Sequence, residues 1–160
     1  MDKKLRLGII GVGNMGTAHI ENYLAEKMPE IEITCIADID EKRLDSAKKK
    51  LPNVTTFSDS SSLIKSGLCE AVLIATPHYV HPSIAIEALE NNLHVMSEKP
   101  AGVYTKQVRE LLEVASKSDK TYTLMLNQRT NCVYRKMKEL VSSGKYGEIR
   151  RVSWIITDWF

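Results

Sequence analysis

Gly11, Gly13 and Gly16 stand at Gly-x-Gly-x-x-Gly spacing directly behind the apolar run Leu5-Arg6-Leu7-Gly8-Ile9-Ile10 and ahead of a helix-compatible segment. The chemistry of such a turn is a non-covalent grip on phosphate. Gly11 permits a tight strand-to-helix turn, and Gly13 lets the backbone approach a pyrophosphate. Gly16 lets the helix pack closely on the sheet, with its unpaired amides and positive dipole end toward the phosphates. A second apolar run, Ile33-Thr34-Cys35-Ile36-Ala37, ends at Asp38, about where the second strand of a βαβ unit sets a carboxylate against the adenosine ribose hydroxyls. Strand, glycine turn, helix and downstream acid together predict a dinucleotide site made of Gly11, Val12, Gly13, Asn14, Met15, Gly16 and Asp38. The Asp38 carboxylate would repel a 2′-phosphate, and Ile39 and Asp40 offer no cation, so NAD is expected and NADP disfavoured. Arg43, the nearest positive charge, counts among the cofactor-binding candidates and is the one residue here that acts toward NADP.

The elements that must carry this turn alternate as short apolar runs and helical stretches, the pattern of a parallel sheet covered by helices on both faces. Strands are expected at 5–10, 32–37, 54–57, 71–75, 93–96 and 122–126. Helices are expected at 15–27, 41–50, 60–66, 82–91 and 105–117. In the last of these Val108, Leu111, Leu112 and Ala115 follow the spacing that buries one face, with Thr105 as the expected N-cap. Lys48-Lys49-Lys50 reads as the solvated, dipole-favoured last turn of a helix.

After Leu126 the rhythm changes. A helix is expected at 131–142, with Val133, Met137, Leu140 and Val141 on one face and Gly144 as a stop. The run from Gly147 to Phe160 is rich in β-branched and aromatic residues and reads as a long strand with apolar bulk on both faces. Burying each such side chain is worth roughly 1.5–3 kcal/mol. Its cover is therefore expected from a partner chain or from a longer polypeptide of which this is the front part. An uncovered edge of this kind also predicts self-association through the C-terminal strand region.

Composition narrows the function classes. The 160 residues are 43% hydrophobic and 26% charged, within the ordinary range for a globular protein, and interspersed charges leave a formal net charge of +2. No nucleic-acid surface is expected from that balance. No apolar segment approaches the roughly 20 residues of a membrane span, so no membrane association is expected. Cys35, Cys69 and Cys132 stand far apart without a Cys-x-x-Cys pair, which predicts a reducing, cytoplasmic location. His78, His81 and His94 lack the further ligands that would complete a metal site, so no metal is expected.

From Ala75 the residues become more specific. The stretch Ala75-Thr76-Pro77-His78-Tyr79-Val80-His81-Pro82, followed by Ser97-Glu98-Lys99-Pro100 after the fifth strand, resembles the glucose-fructose oxidoreductase, inositol dehydrogenase and MocA family. With the opening glycines, Asn127-Gln128-Arg129 and the terminal Trp154-Ile155-Ile156-Thr157-Asp158-Trp159-Phe160, the likeness covers essentially the whole chain. It implies an α/β fold: a Rossmann doubly wound parallel sheet over 1–126, then, at 127–160, the junction helix and first strand of an α+β substrate domain. It implies an NAD(P)-dependent oxidoreductase moving a hydride between a sugar or polyol hydroxyl and nicotinamide. By the same likeness Thr76 and Pro77 line the cofactor, His81 lies near its nicotinamide half, Glu98 holds the nicotinamide-side ribose and Lys99 is catalytic, reaching the reacting hydroxyl.

On spacing alone Lys99 reads equally as a solvated lysine before a proline; its catalytic role comes from the resemblance. The family's later Asp and His motif has no counterpart among these residues, so this portion is expected to bind cofactor and to lack turnover by itself. A non-catalytic dinucleotide-binding module acting through a partner chain is the alternative reading.

Overall fold

The computed structural model describes residues 3–155 and 157. Six strands, β1 (Leu5–Ile10), β2 (Ile31–Ala37), β3 (Thr55–Phe57), β4 (Ala71–Ile74), β5 (His94–Ser97) and β6 (Tyr122–Leu124), form one parallel sheet in the order β3-β2-β1-β4-β5-β6. The helices between them are α1 (Asn14–Leu24), α2 (Glu41–Lys50), α3 (Ser60–Ile64), α4 (His81–Glu90) and α5 (Thr105–Lys117), with α6 (Cys132–Ser142) following β6. All six expected strands are present. Parallel strands buried on both faces appear as continuous apolar runs, which is why they could be read directly.

Alternation along each strand supplies two cores. Ile10, Val72 and Ile74 pack with Leu63, Ile84, Ala88 and Leu111 from α3, α4 and α5. Leu7, Ile9 and Leu73 point the other way and pack with Ile20, Leu44 and Ala47 from α1 and α2. The strand order reverses between β1 and β4, so the crossovers diverge there and leave a crevice at the carboxyl ends of these strands.

Several helix bounds depart from expectation, among them the end of α3 at Ile64 rather than 66 and α4 at His81–Glu90 rather than 82–91. α1 stops at Leu24 rather than Lys27, since Glu26 takes a left-handed conformation with φ 55°. Thr105 is the first helical residue of α5; the cap position is Tyr104, whose side chain makes no capping bond. In that helix Leu111 is fully buried while Leu112 is 53% exposed, so the face packed on the core is Leu111, Val114 and Ala115, with Val108 half-buried and Leu112 outside it. Lys48, Lys49 and Lys50 form the last turn of α2 as expected.

Residues 126–160 form a second compact unit. Its helix α6 is N-capped by Asn131, which accepts from the Val133 amide. Val133, Met137 and Val141 make the expected stripe and are exposed. The long strand expected from Gly147 is not formed: 148–155 adopt no regular element, and Ile156 and Asp158 to Phe160 lie outside the described residues. A strand is defined by a partner's backbone ladder, and β-propensity without such a partner leaves the run irregular. The edge from which self-association was expected is thus absent among the described residues. Among them, too, no helix is long and apolar enough to cross a membrane.

Gly8, at the middle of β1, shows how tightly the sheet is packed. A Cβ there would lie 2.9 Å from Leu63 Cδ2 and 3.1 and 3.2 Å from the sulfurs of Cys35 and Cys69, all buried. The hydrogen bond with Cys35 and burial both push the Cys69 thiol up, so it stays protonated. Gly8→Ala is expected to destabilise the fold by about 1–3 kcal/mol through overpacking. Urea unfolding of the two proteins measures it, and an unchanged midpoint would show that the core yields.

Candidate functional site

The β1–α1 turn is shaped by three glycines with distinct constraints. Gly11 has φ +90°, and a Cβ on it would come within 2.8 Å of the Ala75 carbonyl group. On Gly16 a Cβ would lie 1.9 Å from the Gly11 carbonyl oxygen, so only hydrogen fits where α1 crosses β1. At Gly13 it would meet only the Arg43 guanidinium, at 3.4 Å, which leaves that face of the turn open.

The turn is tied to β2 by a buried carboxylate. Asp38, 8% exposed, accepts from the Val12 amide at Oδ2 (2.8 Å) and from the Asp40 amide at Oδ1 (2.9 Å). The Gly11 amide donates to the Ala37 carbonyl at 2.7 Å. The Val12 side chain is in the core and its amide is committed to Asp38, so of the expected loop residues it supplies shape and no free donor. Asn14 and Met15 are exposed at the start of α1.

The amides of the first turn of α1 have no partners within the helix. No side chain caps them, and that turn contains no acidic residue. Asp40, Asp59 and Asn131 cap α2, α3 and α6, while α4 and α5 also start without a side-chain cap. An uncapped, acid-free N-terminus keeps its donors and its dipole for an anion.

In front of this turn lies a cavity of about 470 Å³, lined by Gly11, Gly13, Asp38, Ile39, Arg43, Thr76 and Pro77 among others. Thr76 Oγ1 is buried and has no hydrogen-bond partner among the described residues. An orphaned hydroxyl on the wall of a cavity is what a polar ligand would complete. Arg43 Nε lies 3.5 Å from Asp40 Oδ2, half exposed. Asp59 and Glu87 also line the cavity, and the sequence reading missed both. Bonds from the Ser62 amide and hydroxyl hold Asp59 below the usual carboxylate range, and the Ser61 hydroxyl, aided by Lys65, does the same for Glu87. Asp38, Asp59 and Glu87 thus share the cavity wall with Arg43, and Glu87 is ion-paired with Lys65 at 3.0 Å.

The Glu98-Lys99-Pro100 corner follows β5. Glu98 is 6% exposed, and its amide donates to the Ile74 carbonyl, fixing the corner beside β4. Lys99 is exposed, and its amide lies 3.3 Å from Glu98 Oε2. His81, expected near the nicotinamide half, has a fully buried ring, with Nδ1 2.9 Å from the Pro100 carbonyl and Nε2 2.8 Å from the Thr76 carbonyl. Both oxygens can only accept, so whichever ring nitrogen carries the N–H donates to backbone. His81 joins the loop after β4 to the loop after β5. His19, to which the sequence reading gave no role, comes from α1 and places Nε2 2.8 Å from Glu98 Oε1. Only the question of what partners a buried acid after β5 could have pointed to it.

The matching family model is that of the oxidoreductase family with an NAD-binding Rossmann fold, Gfo/Idh/MocA, over residues 5–126. The chain belongs to this family. Myo-inositol 2-dehydrogenase of Thermotoga maritima is 30% identical over 144 residues, 90% of this chain and 42% of that protein. The crystal structure of scyllo-inositol dehydrogenase from Lactobacillus casei, with bound NAD(H) and scyllo-inositol, matches with a TM-score of 0.86 at 29% identity, covering 91% of this chain and 43% of that one. WlbA dehydrogenase from Bordetella pertussis, in complex with NADH and UDP-GlcNAcA, matches with a TM-score of 0.84 at 26% identity, covering 91% and 44%. The chain thus spans less than half the length of the relatives it matches.

Asp38→Asn tests the tie between the turn and β2. The amide group has one acceptor oxygen where the carboxylate has two, so either Val12 or Asp40 loses its partner. A stability loss of about 1–3 kcal/mol is expected in urea unfolding. Equal midpoints would mean that the carboxylate does not hold the turn.

Proposed function

We propose that the chain is the cofactor-binding part of an NAD-dependent dehydrogenase of sugars or polyols, with residues 127–160 beginning its substrate domain. The observation that carries this reading is the uncapped α1 N-terminus behind Gly11, Gly13 and Gly16, facing a cavity with an unpartnered Thr76 hydroxyl. The names of the relatives, inositol dehydrogenases among them, support a polyol substrate and an enzyme over a non-catalytic module.

Bound nicotinamide would supply the hydride acceptor. This chain's residues bind and orient around it. The amides of Gly13, Asn14 and Met15, with the α1 dipole, hold the pyrophosphate, and Arg43 over Gly13 adds a cation there. Asp38 has lone pairs left for the adenosine ribose hydroxyls. The Asp38 carboxylate, with Asp59 on the same cavity, would repel a 2′-phosphate, which supports NAD over NADP. Thr76 and Pro77 form the wall, and Glu98 meets the nicotinamide-side ribose. Lys99, exposed two residues after β5, would orient the substrate hydroxyl and take its proton.

In the enzyme containing this chain, Lys99→Ala is expected to slow hydride transfer about 10²–10⁴-fold in single-turnover absorbance at the nicotinamide band, with NADH affinity nearly unchanged. Undiminished transfer would remove Lys99 from the chemistry. Fluorescence titration of the 160-residue chain should give tighter binding of NADH than of NADPH; the reverse order would assign the adenosine end to NADP.

A further inference from the structure

Glu98 is nearly closed off from solvent, and a buried carboxylate is unfavourable unless its oxygens are matched by donors. One oxygen, Oε2, has the Lys99 amide at 3.3 Å, a long contact within its own corner. The other, Oε1, has the Nε2 of His19 at 2.8 Å, and the His19 side chain is itself 15% exposed. Of the two contacts, only the imidazole reaches the carboxylate from another element. His19 lies three residues beyond Gly16, on the same face of α1, the helix whose first turn is left open for an anion. One rigid helix therefore carries the free amides at its start and the group that aims Glu98 one turn further on.

We propose that His19 is a positioning residue for the nicotinamide half of the cofactor: by donating from Nε2 to Glu98 Oε1 it fixes the carboxylate whose free lone pairs receive the nicotinamide-side ribose. This rests on the reading above in which Glu98 meets that ribose. His19 touches no cofactor atom itself. Its contribution is to set the carboxylate oxygens in one orientation, held at a fixed offset from the pyrophosphate seat by the helix between them. The adenosine half, held at Asp38 and Thr76, is independent of it.

That separation gives the test. A histidine whose role is only to stabilise α1 would affect every ligand seated on the helix, whereas one that aims Glu98 affects only ligands that have a nicotinamide ribose. The 160-residue chain is titrated by calorimetry with NADH and with ADP, which lacks the second ribose, for wild type, His19→Asn and His19→Gln. Glutamine carries a donor at about the place of Nε2; asparagine falls short of it. His19→Asn is expected to weaken NADH about tenfold while ADP stays within about twofold, and His19→Gln to recover most of the loss. In a Glu98→Ala background, His19→Asn should produce no further change, since the pair acts as a unit. Should His19→Asn be poorly folded, the same cycle is read with His19→Leu, which keeps side-chain volume and carries no donor.

Equal weakening of NADH and ADP, or no weakening of either, overturns the proposal while leaving cofactor binding intact. Wild-type chain that binds ADP but gains nothing from the nicotinamide half overturns the placement of Glu98 and this inference with it. Wild-type chain that binds neither overturns the dinucleotide reading itself.

Discussion

The Asp38 carboxylate, buried between two turns, accepts the Val12 amide from one and the Asp40 amide from the other. A charge so far out of water persists only where it is hydrogen-bonded, so its place dictates where both backbones run. With Val12 held, Gly11 and Gly16 meet at a separation that no side chain would permit, and α1 starts where its amides look into the cavity. With Asp40 held, that residue turns to cap α2, and Arg43 in the first turn of α2 lies over Gly13. The anion seat, the ribose acceptor and the adjacent cation all follow from one carboxylate at the end of β2.

The two histidines extend this logic to the other half of the crevice. His81 sets its ring nitrogens against the carbonyls of Thr76 and Pro100, and His19 sets one against Glu98. The loops after β4 and β5, with the second turn of α1 and the start of α4, are thereby joined by side-chain contacts rather than by the ladder of the sheet. Loops carry binding groups when a rigid scaffold positions them, and here polar side chains finish the rigidity that the parallel strands begin.

The glycine turn and the strands could be read from residue order because each is enforced by local sterics or by burial on both faces, and both leave a mark in one dimension. Helix ends were less legible. Glu26 enters a left-handed conformation without a glycine to announce it, and Tyr104 precedes α5 without a capping group. The terminal run has the residues of a strand, yet pairing is a property of two segments, and Glu148 to Ile155 have no ladder. The direction of a ring is similarly hidden: the resemblance sets His81 near the nicotinamide half, but only packing shows that its ring faces backbone. His19 left no trace at all, being a polar residue in a helix whose partner is 79 positions away.

The central claim, that the first amides of α1 receive a pyrophosphate, is met most directly by amide resonances of the labelled chain in the presence of saturating NADH. The account predicts large shifts and slowed exchange at Gly13, Asn14 and Met15, and little change at the N-terminal amides of α2 and α3, which Asp40 and Asp59 already cap. Unmoved resonances at the α1 turn, in a chain whose other amides show it folded, would contradict it.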